Sequence, residues 1–104
     1  MMSKPRARWW GYVRRILNDY PKLLADEKHL NENDRRELDA VVRAMGRAEC
    51  FSCGEQQIRI IKRVFFNKTH TLVGAAMEEH ISYATARRRQ NSFIRLVGKE
   101  MGYS

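Results

Sequence analysis

The 104-residue sequence predicts an all-α protein of four to five helices, ending in a helix-turn-helix. Three observations carry this. Apolar residues recur at helical spacing along most of the chain, and few segments alternate as strands do. Helix-capping residues stand ahead of the periodic blocks. The chain has two prolines and six glycines, with no low-complexity tract.

The first block is expected from about Pro5 to Asn18, with Pro5 suited to an opening turn. Trp9, Val13, Ile16, Leu17 and Tyr20 form its stripe, and Pro21 should end or kink it before a short continuation through Leu23 and Leu24. Trp9 and Trp10 are neighbours and cannot share a face, so one belongs to the core and the other to its edge or to an interface. The second block begins near Asn31 or Asn33 and sets Leu38, Val41, Val42 and Met45 on one stripe before Gly46. The third starts around Ser52 or Gly54 and runs to Phe66, with Ile58, Ile61, Val64 and Phe65 inward. Thr71 can cap a helix over Leu72 to Glu79, and Ser82 another from Tyr83 to about Val97. Only His80 and Ile81 separate these two. A short helix, a tight turn and a longer capped helix make the helix-turn-helix pattern.

Net charge is +8, from 20 Lys and Arg against 12 Asp and Glu, which favours nucleic acid or an anionic membrane surface as partner. The charge is uneven. Residues 1–23 hold six bases and one acid, 24–57 five and eight, 58–80 four and two, and 81–104 five and one. The acidic middle is least suited to phosphate, so the two basic ends are the candidates. No stretch approaches the ~20 apolar residues of a membrane span, and the N-terminus has no apolar signal-peptide run. A cytoplasmic protein that does not enter a membrane is expected, with Cys50 and Cys53 reduced.

The segment 71–90 carries the functional argument. Two closely crossing helices need a small residue, met by Ala76. Four residues on, the turn favours positive φ, which His80 tolerates better than most residues. Ile81 supplies the apolar plug and Ala86 the next small residue. Arg87, Arg88 and Arg89 follow on the second helix, where a DNA-reading helix presents bases to phosphates and groove edges.

At these residues the chain resembles bacterial sigma factor region 4, which reads the −35 promoter element. The match runs from Thr71 to about Ile94, and Gln57 to Phe66 resembles the scaffold helix before such a motif. The whole chain is similar to small phage late-gene transcription activators of the RinA/ArpU kind. Asn18-Asp-Tyr-Pro21, Phe65-Phe66 and the closing Met101-Gly102 carry that likeness. The resemblance implies a phosphate-touching cap at Ser82 and groove-facing Tyr83, Thr85, Arg87 and Arg88. Ala84 stands where sigma factors keep an acidic base reader, so sigma-type specificity does not carry over. Arg89 falls at an often apolar position and is expected to snorkel toward phosphate.

Other chemistries find little footing. Cys50-Phe-Ser-Cys53 has the spacing of half a zinc knuckle, but no second close pair completes four ligands. His70 and His80 have simpler roles in loop and turn. There is no glycine-rich phosphate loop and no motif-placed nucleophile, so no enzyme, metal or cofactor is expected.

The sequence therefore points to residues 1–50 as an N-terminal helical part, for self-association or contact with RNA polymerase, and 51–104 as the DNA-binding part. The function expected is sequence-specific transcriptional control on double-stranded DNA. Ser82, Lys68 and Thr71 would hold the backbone, and Tyr83, Thr85, Arg87, Arg88 and Arg89 would lie at the groove. Lys4, Arg6, Arg8, Arg14 and Arg15 form either a second phosphate-binding arm or a solvated helix face. A homodimer would help so short a chain bury its surface. Two other readings stay open: a DNA-packaging factor like a terminase small subunit, and a sigma-mimicking adaptor that binds protein without DNA.

Overall fold

The computed structural model describes residues 8–103, and all of its regular elements are helical. In order they are α1 (Trp9–Ala25), a 3₁₀ turn (Glu27–His29), α2 (Glu32–Ala48), α3 (Gly54–Ile61), a π-helical turn (Lys62–Phe66), α4 (Leu72–Glu78) and α5 (Tyr83–Glu100). The all-α expectation holds. The helix start expected at Pro5 lies outside the described residues, as do Lys4 and Arg6. No helix among the described residues is long and apolar enough to cross a membrane.

Helix α1 buries Trp10, Val13, Ile16, Leu17 and Tyr20, so Trp10 takes the core place and Trp9 stays half-buried at the edge. Pro21 does not end the helix but sits inside it. The proline removes one ladder donor, and packing outweighs that loss. Tyr20 is buried beside it, its ring 4.6 Å from that of Phe66.

Asn31 is the cap of α2, accepting from the Asp34 amide at 2.8 Å. The inward stripe differs from the one expected. Val42 is exposed, Met45 is half-buried, and the buried face is Glu37, Leu38, Ala40, Val41, Ala44 and Ala48. Three alanines on that face let neighbouring helices approach closely, a gain that a bulky Val42 could not supply. Gly46 does not stop the helix, which runs on to Ala48. Buried Glu37 is satisfied by the Tyr12 hydroxyl at 2.5 Å, which donates to it, and by Asn33. Tyr12 is thereby pushed up to about 12, chiefly by that hydrogen bond.

Helix α3 widens into the π turn, closed by the Asn67 amide on the Lys62 carbonyl at 2.7 Å. The extra residue per turn directs Phe65 into the core while Phe66 stays half-buried against Tyr20. The main core joins side chains of α1, α2, the α3 region and α5, including Phe65, Phe93, Ile94 and Val97. A smaller cluster of Ile60, Ala75, Ala76 and Ala86 ties α3, α4 and α5, with Val64, Leu72 and Ile81 packed against it. Cys50 is exposed and Cys53 half-buried, both as free thiols.

Candidate nucleic-acid interface

The turn between α4 and α5 has defined geometry. His80 has φ 57°, in the left-handed region. The Ile81 amide bonds to the Ala76 carbonyl at 3.0 Å and the His80 amide to Met77 at 3.2 Å. These two bonds satisfy carbonyls that a helix end otherwise leaves open. Ile81 then lies half-buried on the small Ala75–Ala76–Ala86 cluster. Small side chains at 76 and 86 are what let α4 and α5 cross there.

Both helices are capped as the sequence indicates. The Thr71 hydroxyl accepts from the Gly74 amide at 3.1 Å, and the Ser82 hydroxyl from the Thr85 amide at 3.1 Å. Ser82 and Thr85 hydroxyls lie 2.9 Å apart, and Arg88 donates to the Thr85 hydroxyl at 3.3 Å. Ser82, Thr85 and Arg88 thus form one chain of contacts at the start of α5. Tyr83 is 49% exposed, and Arg87 and Arg88 are exposed beside it.

Two expected contacts have other partners. Arg89 is half-buried, and its Nε donates to the Gln56 side chain at 3.1 Å, while buried Gln57 donates to the Arg89 carbonyl at 3.0 Å. Both bonds fasten α5 to α3. Lys68, with φ 55°, donates to the Asn18 carbonyl at 3.0 Å and so ties the loop to α1.

Two features were not anticipated. Glu79, at the end of α4, is gripped by Arg59 and Arg63 of the α3 region. The Arg59 hydrogen bond, opposed by burial and reinforced by Arg63, lowers its carboxyl to about 2. Arg14 of α1 lines, with Tyr83, Arg87, Gln90 and Asn91, a polar cleft of about 380 Å³ walled by Val64 and Leu72. Its guanidinium stands 5.2 Å from the Phe65 ring centroid. Neighbouring Arg15 instead pairs with Asp19 and Glu37.

Ion pairing engages some arginines and not others, and Arg36 of α2 donates to the Met101 carbonyl at 2.8 Å instead. Arg15, Arg35, Arg43, Arg47, Arg59 and Arg63, all in α1, α2 and the α3 region, pair with carboxylates. None of the four arginines of α5 pairs with a carboxylate among the described residues, and neither does Arg14. Of these, Arg87 and Arg88 are exposed at the start of α5, so their charge is available to an external anion. The chain matches no family model, no curated protein and no solved structure.

Proposed function

We propose that the protein is a sequence-specific regulator of transcription that sets the N-terminal half of α5 into the major groove of duplex DNA. The observation that carries this reading is the pairing pattern. Arg87 and Arg88 stand without carboxylates on a rigidly capped helix, while Arg35, Arg43, Arg47, Arg59 and Arg63 of α2 and the α3 region pair with carboxylates. Desolvated phosphates and guanine edges are the anionic and acceptor surfaces such unpaired guanidinia fit.

In this reading Arg87 and Arg88 read base edges or phosphates, with Thr85 orienting Arg88. Tyr83 faces the groove. Ser82 and Thr71 hold backbone phosphates, and Arg14 adds a phosphate contact from α1 across the shared cleft. Arg89 acts by holding α5 on α3 rather than by touching DNA, and Lys68 by fixing the loop. The resemblance to sigma region 4 and to late-gene activators supports transcriptional control over other uses of duplex DNA.

The test is anisotropy of a labelled random duplex titrated with the protein at several salt concentrations. The reading expects affinity to fall with salt, by about 0.9 in log–log slope per phosphate contact. Absence of salt-sensitive binding would favour an adaptor that binds protein alone.

A further inference from the structure

The C-terminal half of α5 borders a second cleft, of about 500 Å³, which the DNA reading leaves unused. That is within the ~300–1,000 Å³ of ligand-sized clefts. Trp9, Phe51, Leu96 and Tyr103 give it an apolar interior, and Arg95 and Lys99 stand at its edge.

Its walls are fixed by the backbone. The Trp9 and Tyr103 rings stack with centroids 5.7 Å apart and planes at 16°. A Cβ on Gly98 would lie 2.6 Å from the Trp9 ring, so glycine lets that ring settle onto α5. Gly102, at φ 89°, turns the chain so that the Tyr103 amide reaches the Gly98 carbonyl at 2.8 Å. Phe51, 48% exposed, completes the apolar lining from the α2–α3 connection.

The charge at the edge is uncompensated. Neither Lys99 nor Arg95 has a carboxylate partner among the described residues, and the Arg95 guanidinium stands 5.6 Å from the Trp10 ring centroid. Glu100, the one acid of α5, is taken by Arg43 and Arg47. An apolar interior with an unneutralised cationic edge complements large apolar side chains flanked by carboxylates.

We infer that this cleft is a docking groove for an acidic segment of a partner protein, one that sets leucine or aromatic side chains between Asp and Glu. A second copy of this chain fits worse. A two-fold pairing through the groove would bring Arg95 and Lys99 of one copy against the same residues of the other. Single-stranded nucleic acid supplies anions but stacks its bases on open ring faces. Here Trp9 is covered by Tyr103, and Tyr103 meets the Tyr12 ring at 6.1 Å. The groove also lies clear of the proposed DNA face, since Lys99 follows Arg88 by about 16 Å of helix. The two surfaces can be occupied together, and the inference does not rest on the DNA reading.

The experiment selects random peptides of about 12 residues on the wild type, then measures the consensus peptide on two variants. These are Arg95→Glu with Lys99→Glu, and Phe51→Ser. All three positions are exposed, and circular dichroism checks that each variant folds. The expected result is enrichment of Leu, Phe or Trp flanked by acids, with affinity falling at least about tenfold in each variant. Selections without acidic bias, or wild-type affinity in either variant, would overturn the proposal. So would displacement of the peptide by oligothymidylate, which makes the groove a nucleic-acid site. Sedimentation showing a wild-type dimer that the charge-reversed variant loses would assign it to self-association instead.

Discussion

Arg59 holds both carboxylate oxygens of Glu79, with Nε at 3.1 and 3.0 Å and Nη2 at 2.8 Å from Oε1. Arg63 adds a further bond to Oε2. The Glu79 side chain is only 6% exposed, and it ends α4 immediately before the His80 turn. This clamp fixes the short helix to α3 and so sets the angle at which α5 leaves the body of the protein.

The clamp predicts an acid sensitivity of known sign. Glu79 is held at about 2 in the folded protein against an ordinary 4.5. Its contribution is therefore complete above about pH 4.5 and is lost as pH falls toward 2. Glu79→Gln should cost about 2 kcal/mol at neutral pH and flatten part of the acid limb of the stability curve. Glu100, also lowered by its Arg43 hydrogen bond, accounts for some of the limb that remains. Thermal melts of both proteins from pH 7 to 2 measure this. An acid limb unchanged by the substitution would mean the clamp contributes nothing to stability.

His80 occupies the left-handed region with its side chain exposed. Glycine accepts that conformation without the steric cost an L side chain meets there. His80→Gly should stabilise the protein by about 0.5–1 kcal/mol and leave affinity for duplex DNA unchanged. Urea denaturation gives the first value and a binding titration the second. A clear loss of stability would assign the imidazole a structural role.

Two helical glycines should respond to alanine with opposite signs. At Gly46 an added Cβ meets nothing within 4 Å, so Gly46→Ala should gain up to about 1 kcal/mol from helix propensity alone. At Gly98 it would press on the Trp9 ring at 2.6 Å. Overpacking costs about 1–3 kcal/mol, which exceeds the propensity gain. Gly98→Ala should lower the melting temperature and shift tryptophan emission to the red as Trp9 is displaced. Equal effects at the two sites would contradict the close contact between α1 and α5.

Local chemistry made much of this structure legible in advance. Asn31, Thr71 and Ser82 announce helix starts because their side chains accept amide hydrogen bonds one turn on. The positive φ at His80 follows from the short link between two helical patterns. Features that depend on tertiary packing were not legible. Pro21 reads locally as a helix end, yet α1 continues past it with Tyr20 buried against the core. Val42 and Val41 are equally apolar, and only the packing of Ala40, Ala44 and Ala48 decides which valine faces inward. The same holds for the candidate site. Three consecutive arginines cannot share one helix face, so a different role for Arg89 was readable, but its bond to Gln56 was not. The cleft joining Arg14 to Arg87 and the grip of Arg59 on Glu79 bring together residues remote in the chain. No local pattern encodes them.

Whether the N-terminal half of α5 reads duplex DNA is decided by a salt titration of single arginine variants. Arg87→Ala, Arg88→Ala, Arg14→Ala and Arg15→Ala would each be measured on a selected site and on random duplex. Arg87→Ala or Arg88→Ala should lose about 1–3 kcal/mol on the selected site and relax preference at one position. Arg14→Ala should weaken both DNAs alike and lower the salt slope by about 0.9. Arg15→Ala, already paired with Asp19 and Glu37, should change neither. Wild-type binding of both DNAs by the Arg87, Arg88 and Arg14 variants would rule out a groove-reading α5. The arginines would then be a solvated face, and α5 would not enter the groove.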